Sequence, residues 1–302
     1  MKAAAAAPAE RHGLLRRLLA LCAVLVLAAG CATSGETLQA MAPPPGPATK
    51  YSALVVDATN GKTLYEVNAT AVRYPASLTK MMTLYLLFEA LDQGRVSKTT
   101  EIPVSSFASR QPPSKIGIKS GQSIDVESAI LALTVKSGND CAVAVAEYLG
   151  GTEEQFAQQM TARARQLGMT GTVFRNASGL PDPGQHTTAR DMAILGMALR
   201  SRFPQHFHYF SARDFSFRGR TVRGHNDLLG RVDGVDGIKT GYIRASGYNI
   251  VTSVSRGSRR LIVVVMGADS ARARNAHVEE LIERYMRAPR PSSVLSSLSP
   301  FD

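Results

Sequence analysis

The chain has 302 residues, of which 44% are hydrophobic and 20% are charged, a composition typical of a folded globular protein and not of a disordered one. No sequence repeat runs through it, which excludes a solenoid or a propeller. The formal net charge is +11, but the basic residues are scattered and no nucleic-acid-binding motif accompanies them, so we expect no nucleic acid partner.

Residues 1–30 are a predicted signal peptide. Basic residues precede an uncharged run over 18–30, which is shorter than the ~20 residues that a membrane-spanning helix needs. The run ends just before Cys31 in a sequence that resembles a bacterial lipoprotein processing box, which predicts lipidation of Cys31; ordinary signal cleavage near Ala28 is the alternative. We therefore expect an exported protein of the periplasm or cell envelope, held at the membrane by an N-terminal lipid if Cys31 is modified.

Two further segments are expected to lie outside the folded domain. Residues 31–49 are rich in proline and predict an extended linker. Residues 289–302 are rich in serine and proline without core-forming periodicity, and predict a disordered tail. The folded domain is therefore placed at 50–288.

The domain opens with a predicted β-hairpin, formed by 51–57 and 63–67 around Asn60-Gly61. The middle of the domain is predicted to be helical, over 78–91, 123–136, 140–149 and 152–167. The first of these helices is apolar at almost every position, which indicates burial on all sides. Thr152 with Gln155 forms a capping box at the start of the last one.

The last third returns to strands, predicted over 214–222, 248–255 and 260–266, before a closing helix over 271–287. Strands contributed by both chain ends and a helical middle predict an α+β fold, with an antiparallel sheet packed against a mainly helical block.

Three short motifs carry the chemistry: Ser77-Leu78-Thr79-Lys80, then Ser137-Gly138-Asn139, then Lys239-Thr240-Gly241. Each motif alone occurs often by chance, but here all three follow one order along the chain. Burying the charged side chain of Lys80 on an apolar helix would also cost free energy, which indicates that the lysine has a function. Ser77 and Lys80 are three residues apart and share a helix face, so the Lys80 amine can reach the Ser77 hydroxyl.

These motifs predict a serine nucleophile activated by a lysine. Burial and the neighbouring cation Lys239 would lower the pKa of Lys80, so that it takes the proton of Ser77. Ser137 would relay that proton to the leaving amine, and Asn139 would bind the substrate amide. Lys239 with Thr240 would bind the substrate carboxylate, and Gly241 would let the strand approach the substrate closely.

With these motifs, and with the runs that begin at Asn176, Thr188 and Gly247, the chain resembles the low-molecular-mass penicillin-binding proteins, the serine D-alanyl-D-alanine carboxypeptidases of peptidase family S11. The resemblance implies a β-lactamase/transpeptidase-like fold, peptidoglycan stem peptides as substrates and β-lactams as covalent inhibitors. It also implies an oxyanion hole made by the backbone N–H groups of Ser77 and Tyr242, and a carboxylate-binding Arg274, for which Arg272 is an alternative.

Other interpretations remain open at this point. A β-lactamase would need a glutamate that 176–188 does not contain, a D,D-endopeptidase usually has a different second motif, and a non-catalytic sensor would need a signalling segment.

Cys141 lies in an apolar helical run and is expected to be a buried structural thiol, not a nucleophile. The six histidines form no ligand pattern, so we expect neither a metal nor another cofactor.

Overall fold

The structure, a computed structural model, describes residues 50–287. The strands are β1 (Ser52–Asp57), β2 (Thr63–Val67), β3 (Glu101–Pro103), β4 (Ser123–Asp125), β5 (Asp214–Phe217), β6 (Arg220–Arg223), β7 (Val235–Ile243), β8 (Gly247–Arg256) and β9 (Arg259–Ala268). The helices are α1 (Lys80–Asp92), α2 (Ser106–Ser109), α3 (Val126–Leu131), α4 (Asn139–Gly150), α5 (Glu153–Gln166), α6 (Ala189–Arg202) and α7 (Ala271–Arg287). The predicted signal peptide, Cys31, linker and tail lie outside the described residues.

A five-stranded antiparallel sheet, in the order β2-β1-β9-β8-β7, forms the frame of the molecule. The predicted hairpin is confirmed as β1 and β2, and both ends of the domain supply strands, as expected. The edge strand β7 is paired on one side only, by β8, with Thr240 opposite Ile250. Its other side is therefore available to the functional site.

Both faces of the sheet are covered, because every residue of β1 and nearly every residue of β9 is buried. Leu54 and Ile262 belong to the main core, which the sheet shares with the helical block. On the opposite face, Tyr65 packs against Tyr285 of α7, with ring centroids 5.9 Å apart. Burial on two faces explains why β9 is a continuous apolar run without alternation.

The helical block is built around α1, which is buried from Lys80 to Ala90 and contacts α4, α5 and α6. The prediction of a helix buried on all sides is confirmed. Thr152 caps α5 as predicted, since its side chain accepts the backbone N–H of Gln155 at 3.2 Å, which is one of the two hydrogen bonds of a capping box. Among residues 50–287, no helix combines the length and the apolar character that crossing a membrane requires.

The predicted helix over 123–136 is wrong at both ends. Its first three residues form β4, which pairs with β3 so that Ile124 lies opposite Ile102. The Asp125 side chain then accepts the backbone N–H of Ser128 at 2.8 Å, which caps α3 at that point. The last five residues, Ala132–Lys136, form a wider π-helical turn that leads into the second motif.

The predicted single strand over 214–222 is instead the hairpin β5-β6. It reverses at Arg218-Gly219, both with positive φ (49° and 77°), directly after the alternation of Phe215 and Phe217 ends. Near the site, the helix α6 was not predicted from the sequence, and β7 was expected only as a strand at Gly241, without bounds.

Candidate active site

Ser77 lies in a 3₁₀ turn, Ala76–Thr79, that runs directly into α1. Ala76 has a φ of 49°, a left-handed conformation that costs a non-glycine residue about 1–3 kcal/mol. The turn is wedged against Gly179, where a β-carbon would collide with the carbonyl oxygen of Ala76. The Ser77 side chain is only half-buried, so it faces the solvent-accessible cleft while its neighbours are covered.

Lys80 is wholly buried directly behind Ser77. Its Nζ atom donates to Ser77 Oγ at 3.2 Å, to Asn139 Oδ1 at 2.8 Å and to the backbone carbonyl of Ser178 at 2.5 Å. Burial lowers the pKa of Lys80 well below its ordinary value, and the nearby cation Lys239 lowers it further. The three acceptors fix the amine in position, and the lowered pKa favours its neutral form.

The second motif forms the opposite wall of the cleft. Ser137 is in the left-handed region (φ 62°), and its Oγ is buried without a hydrogen-bond partner among residues 50–287. Asn139 opens α4, and its Nδ2 donates to the carbonyl of Pro112 at 2.9 Å. The following Asp140 carboxylate accepts the backbone N–H of Gly117 at 2.8 Å. These contacts hold the 112–118 loop against the motif.

The third motif lies on the free edge of β7. Lys239 is buried, donates from Nζ to the carbonyl of Thr240 at 3.0 Å, and has its pKa lowered to about 7 by burial and by the charge of Arg274. Gly241 comes next, and a β-carbon there would lie 3.0 Å from the backbone nitrogen of Ser77. Glycine is therefore what allows β7 to approach the Ser77 turn closely.

Arg274 and Tyr242 complete the side of the cleft that the third motif forms. The Arg274 side chain is buried and donates from Nη1 to the carbonyl of Asn249 at 3.3 Å, and burial lowers its pKa to about 10. Tyr242 is half-exposed, with its ring 4.3 Å from that of Tyr248. Arg272 lines a different cavity, so Arg274 and not Arg272 faces the motif residues.

A cleft of about 520 Å³ joins these side chains. Seven of the residues predicted from the sequence line it: Ser77, Ser137, Asn139, Thr240, Gly241, Tyr242 and Arg274. The two lysines lie behind its surface, Lys80 in contact with Ser77 and Asn139, and Lys239 on the adjoining cavity. The three motifs thus meet at one place although 60 and 102 residues separate them in the sequence.

Several residues that shape the cleft had no role assigned from the sequence. Ser178 supplies the third acceptor for Lys80, and the Glu153 carboxylate, whose pKa burial raises, accepts the adjacent backbone N–H of Ala177 at 3.0 Å. His225 lines the cleft from the loop before β7. Ser178 lies in one of the runs that carry the resemblance, whereas Glu153 looks like an ordinary acidic residue at a helix start, so nothing in the sequence marks it.

Cys141 does not compete with Ser77. Its thiol is fully buried, and burial raises its pKa well above the ordinary value, so it stays protonated at neutral pH. Within the described part of the chain, no group of three or more His, Cys, Asp or Glu side chains is placed to hold a metal ion.

A sheet and helical block that bring a serine, a buried lysine and a Lys-Thr-Gly strand edge to one cleft define the penicillin-binding class of proteins. Solved structures agree. Penicillin binding protein 5 from Haemophilus influenzae superposes with a TM-score of 0.76 at 34% identity, covering 81% of this chain and 72% of that one. Penicillin-Binding Protein D2 from Listeria monocytogenes, in its cefotaxime-bound form, gives a TM-score of 0.72 at 31% identity, covering 80% and 98%.

The chain belongs to the D-alanyl-D-alanine carboxypeptidase family, peptidase S11, whose family model matches residues 39–270. The D-alanyl-D-alanine carboxypeptidase DacD of Escherichia coli is 34% identical over 274 residues, which are 88% of this chain and 70% of the relative. The chain spans a smaller share, 59–61%, of the length of further carboxypeptidase relatives.

Proposed function

We propose that the protein is a serine D-Ala-D-Ala carboxypeptidase, which removes the terminal D-alanine from peptidoglycan stem peptides through an acyl-enzyme. The observation that carries this proposal is the 3.2 Å contact between Lys80 Nζ and Ser77 Oγ at the surface of a cleft that the other two motifs also line. A serine hydroxyl is a weak nucleophile unless a base removes its proton, and a buried amine with a lowered pKa is such a base.

In acylation, Ser77 Oγ attacks the carbonyl carbon of the penultimate D-alanine while its proton passes to Lys80 Nζ. The backbone N–H groups of Ser77 and Tyr242 donate to the oxygen that becomes negative in the tetrahedral intermediate. The close approach of Gly241 to the Ser77 turn supports this role, because it places the residue before Tyr242 next to the backbone nitrogen of Ser77.

The intermediate collapses when the C–N bond breaks and the leaving amine receives a proton. Ser137 Oγ is suited to carry that proton from Lys80, because it is buried on the cleft and makes no other hydrogen bond among residues 50–287. Water then attacks the ester with Lys80 again as base, which releases the shortened peptide and restores Ser77.

Lys239, Thr240 and Arg274 bind the terminal carboxylate of the substrate in this proposal. Lys239 and Arg274 are both buried, and neither forms an ion pair with a carboxylate among residues 50–287. A buried cation without an anionic partner is costly, and a substrate carboxylate supplies the missing charge. The free amide hydrogen of Asn139 Nδ2 would position the peptide backbone.

The same site is proposed to be acylated by β-lactams, which present a strained amide and a carboxylate in the same arrangement. Rapid release by a β-lactamase mechanism is the second candidate, and the loop over 176–188 argues against it. The carboxylate of that loop, Asp182, is already bound to the backbone N–H of Gly184 at 2.7 Å, and the nearby Glu153 carboxylate binds Ala177. We therefore expect a long-lived penicilloyl enzyme.

Export, and attachment of the envelope enzyme through a lipid on Cys31, remain part of the proposal. Two observations support this: the sequence over 1–31, and the proposed substrate, because peptidoglycan lies outside the cytoplasmic membrane. Radiolabelled palmitate should enter the full-length protein in a bacterial host and should not enter a Cys31→Ala variant; labelling of both, or of neither, would contradict lipidation at this cysteine.

Release of D-alanine from diacetyl-L-Lys-D-Ala-D-Ala tests the proposed activity. The purified protein should release stoichiometric D-alanine over many turnovers, and Ser77→Ala should release none. Thr79→Ser, a change within the same turn that leaves Ser77 and Lys80 in place, is the matched control and should keep activity. No release by the unaltered protein, under conditions in which it is folded, would refute the proposal.

A further inference from the structure

Glu153, the first residue of α5, turns its side chain towards the interior and not towards solvent. It is half-buried, whereas the next residue, Glu154, is exposed. Favourable interaction with the helix dipole explains an acidic residue in the first turn whichever way it points, so it does not explain the burial. The Glu153 Oε1 atom accepts the backbone N–H of Ala177 at 3.0 Å, which ties the start of α5 to the turn over 176–179.

The turn over 176–179 is held by the helical block at Ala177. The carbonyl of Ala177 accepts the hydroxyl of Thr83 at 2.7 Å, and Thr83 is wholly buried on α1. The N–H of Ala177 donates to Glu153, on α5. By contrast, the bond from the Gly179 N–H to Asn176 Oδ1, at 2.7 Å, lies within the turn itself. Thr83 and Glu153 therefore fix the position of the turn relative to α1 and α5.

The position of this turn matters because it contacts both the base and the nucleophile turn. The carbonyl of Ser178, one residue after Ala177, accepts Lys80 Nζ at 2.5 Å. Gly179 follows and packs against the Ala76 carbonyl, next to Ser77. A small displacement of Ala177 would therefore move the acceptor that holds the Lys80 amine.

Lys80 changes its charge during the proposed reaction, and ionisable groups of three other elements surround it. Burial lowers its pKa most, and Lys239 of β7 lowers it further. Asp140 and Cys141 of α4 act in the opposite direction, as does Glu153 of α5. Glu153 is thus linked to Lys80 in two ways, through the backbone of the turn and through its charge.

The charge of Glu153 depends on opposing effects at its own carboxyl group. Burial raises its pKa, and the carboxylates of Glu154 and of Glu147 on α4 raise it further. The N–H of Ala177 and the amine of Lys80 lower it, because both favour the carboxylate. The hydrogen bond that holds the turn is therefore also one that favours the charged form of Glu153.

We propose that Glu153 is a positioning residue for the catalytic base. Its carboxylate keeps the Ser178 carbonyl against Lys80 Nζ by holding the backbone one residue earlier. Its negative charge favours the ammonium form that Lys80 takes when it accepts the Ser77 proton. This inference rests on the proposed function, in which Lys80 is that base.

Glu153→Gln separates the two effects, because the amide keeps an oxygen that can accept the Ala177 N–H but has no charge. Removing a nearby negative charge lowers the pKa of Lys80, so the acid limb of kcat/KM for D-alanine release should move to lower pH. We expect a displacement of about half a pH unit to one unit, the effect of one charge in a partly screened interior. The maximum of kcat/KM should stay within about threefold of the unaltered protein, because the turn keeps its position.

Glu153→Ala removes both the charge and the acceptor. Its acid limb should move as in Glu153→Gln, and its maximum kcat/KM should also fall by about tenfold, because the Ser178 carbonyl is no longer fixed against Lys80. A change that only loosened the structure would lower the rate without moving the limb. Thermal unfolding establishes whether the variant folds; if it does not, the position of the limb in Glu153→Gln decides alone.

Glu154→Gln is the matched control, since it removes the same charge from the next residue and should leave the acid limb in place. The alkaline limb is an internal reference. It follows Lys239, whose pKa is lowered by burial and by Arg274, so it should not move in these variants.

An acid limb that stays in place in Glu153→Gln, or a folded Glu153→Ala variant with full kcat/KM, would overturn the role of Glu153. The unaltered protein separates this inference from the proposed function. If it releases D-alanine normally and the limb does not move, only the role of Glu153 fails. If it releases none, the proposed activity itself fails.

Discussion

The Nζ atom of Lys80 lies 3.2 Å from the Oγ atom of Ser77, although the lysine side chain is wholly buried and the serine faces the cleft. A half-buried nucleophile that faces the cleft and a wholly buried base are thereby placed one helical turn apart. The amine needs its lowered pKa for this pairing to work, because an ammonium group could not accept the serine proton.

Replacing Lys80 by arginine keeps a positive charge and a hydrogen-bond donor but removes the base, since a guanidinium is not deprotonated near neutral pH. We expect the second-order rate constant for acylation by benzylpenicillin to fall by about 10²–10⁴-fold. Stopped-flow measurement of the rate gives the answer. Lys119→Arg, at an exposed position, should leave the rate unchanged, and an acylation rate for Lys80→Arg within about threefold of the unaltered protein would contradict the role of the amine.

The pH dependence of kcat/KM should be bell-shaped. Lys80 acts as a base when neutral, so activity rises as pH increases through its lowered pKa. Lys239 binds the substrate carboxylate when protonated, and with a pKa of about 7 it loses that charge as pH rises further. The alkaline limb should therefore fall from about pH 7 upwards, and a kcat/KM that stays level to pH 9 would show that the Lys239 charge is not required.

Arg274→Gln should move the alkaline limb of that profile to higher pH. The Arg274 charge is one of the two causes of the lowered pKa of Lys239, so its removal lets that pKa rise. The variant should also bind substrate less tightly, but the position of the limb does not depend on the absolute rate. Arg272→Gln serves as the control from the same helix, because Arg272 faces another cavity; a limb that does not move in Arg274→Gln would argue against this coupling.

Gly179→Ala should distort the Ser77 turn. Its φ is +85°, and an added β-carbon would collide with the backbone of Ala76. In Gly121→Ala the new alanine would also have to adopt a left-handed backbone conformation, with a φ of +80°, and would carry the same free-energy cost. No atom lies within 4 Å of its added β-carbon, however. Gly121→Ala should lower stability by about 1–2 kcal/mol and keep D-alanine release.

The Gly179 variant should lose most of its activity and more stability than Gly121→Ala, because it adds the collision to the same backbone strain. Thermal unfolding and the release assay on the two proteins make the comparison. Equal losses in both would mean that the Ser77 turn does not depend on this contact.

The three motifs and the Lys80–Ser77 pair could be predicted from the sequence because they depend on local chemistry. A serine and a lysine three residues apart share one face of a helix, so their hydroxyl and amine can come into contact. A lysine within an otherwise apolar helix is easily recognised in the sequence, because burying it costs free energy. The β1-β2 hairpin and the final helix were also predictable, since their periodicity and turn residues lie within a few positions of one another.

What could not be predicted depends on contacts between distant parts of the chain. The helix α6 contains Gly196, which weakens a helix in isolation but is suited to close packing here, because a β-carbon would lie 3.2 Å from the Val251 side chain on the sheet. The strand β7 contains a lysine and two internal glycines, a poor strand sequence whose extended form is set by pairing with β8.

Mass analysis of the protein after incubation with benzylpenicillin tests the central claim most directly. The account predicts one added penicillin mass, located by peptide mapping on Ser77, persisting for many minutes and absent from Ser77→Ala. An adduct on any other residue, or a Ser77→Ala protein that is still labelled, would contradict it.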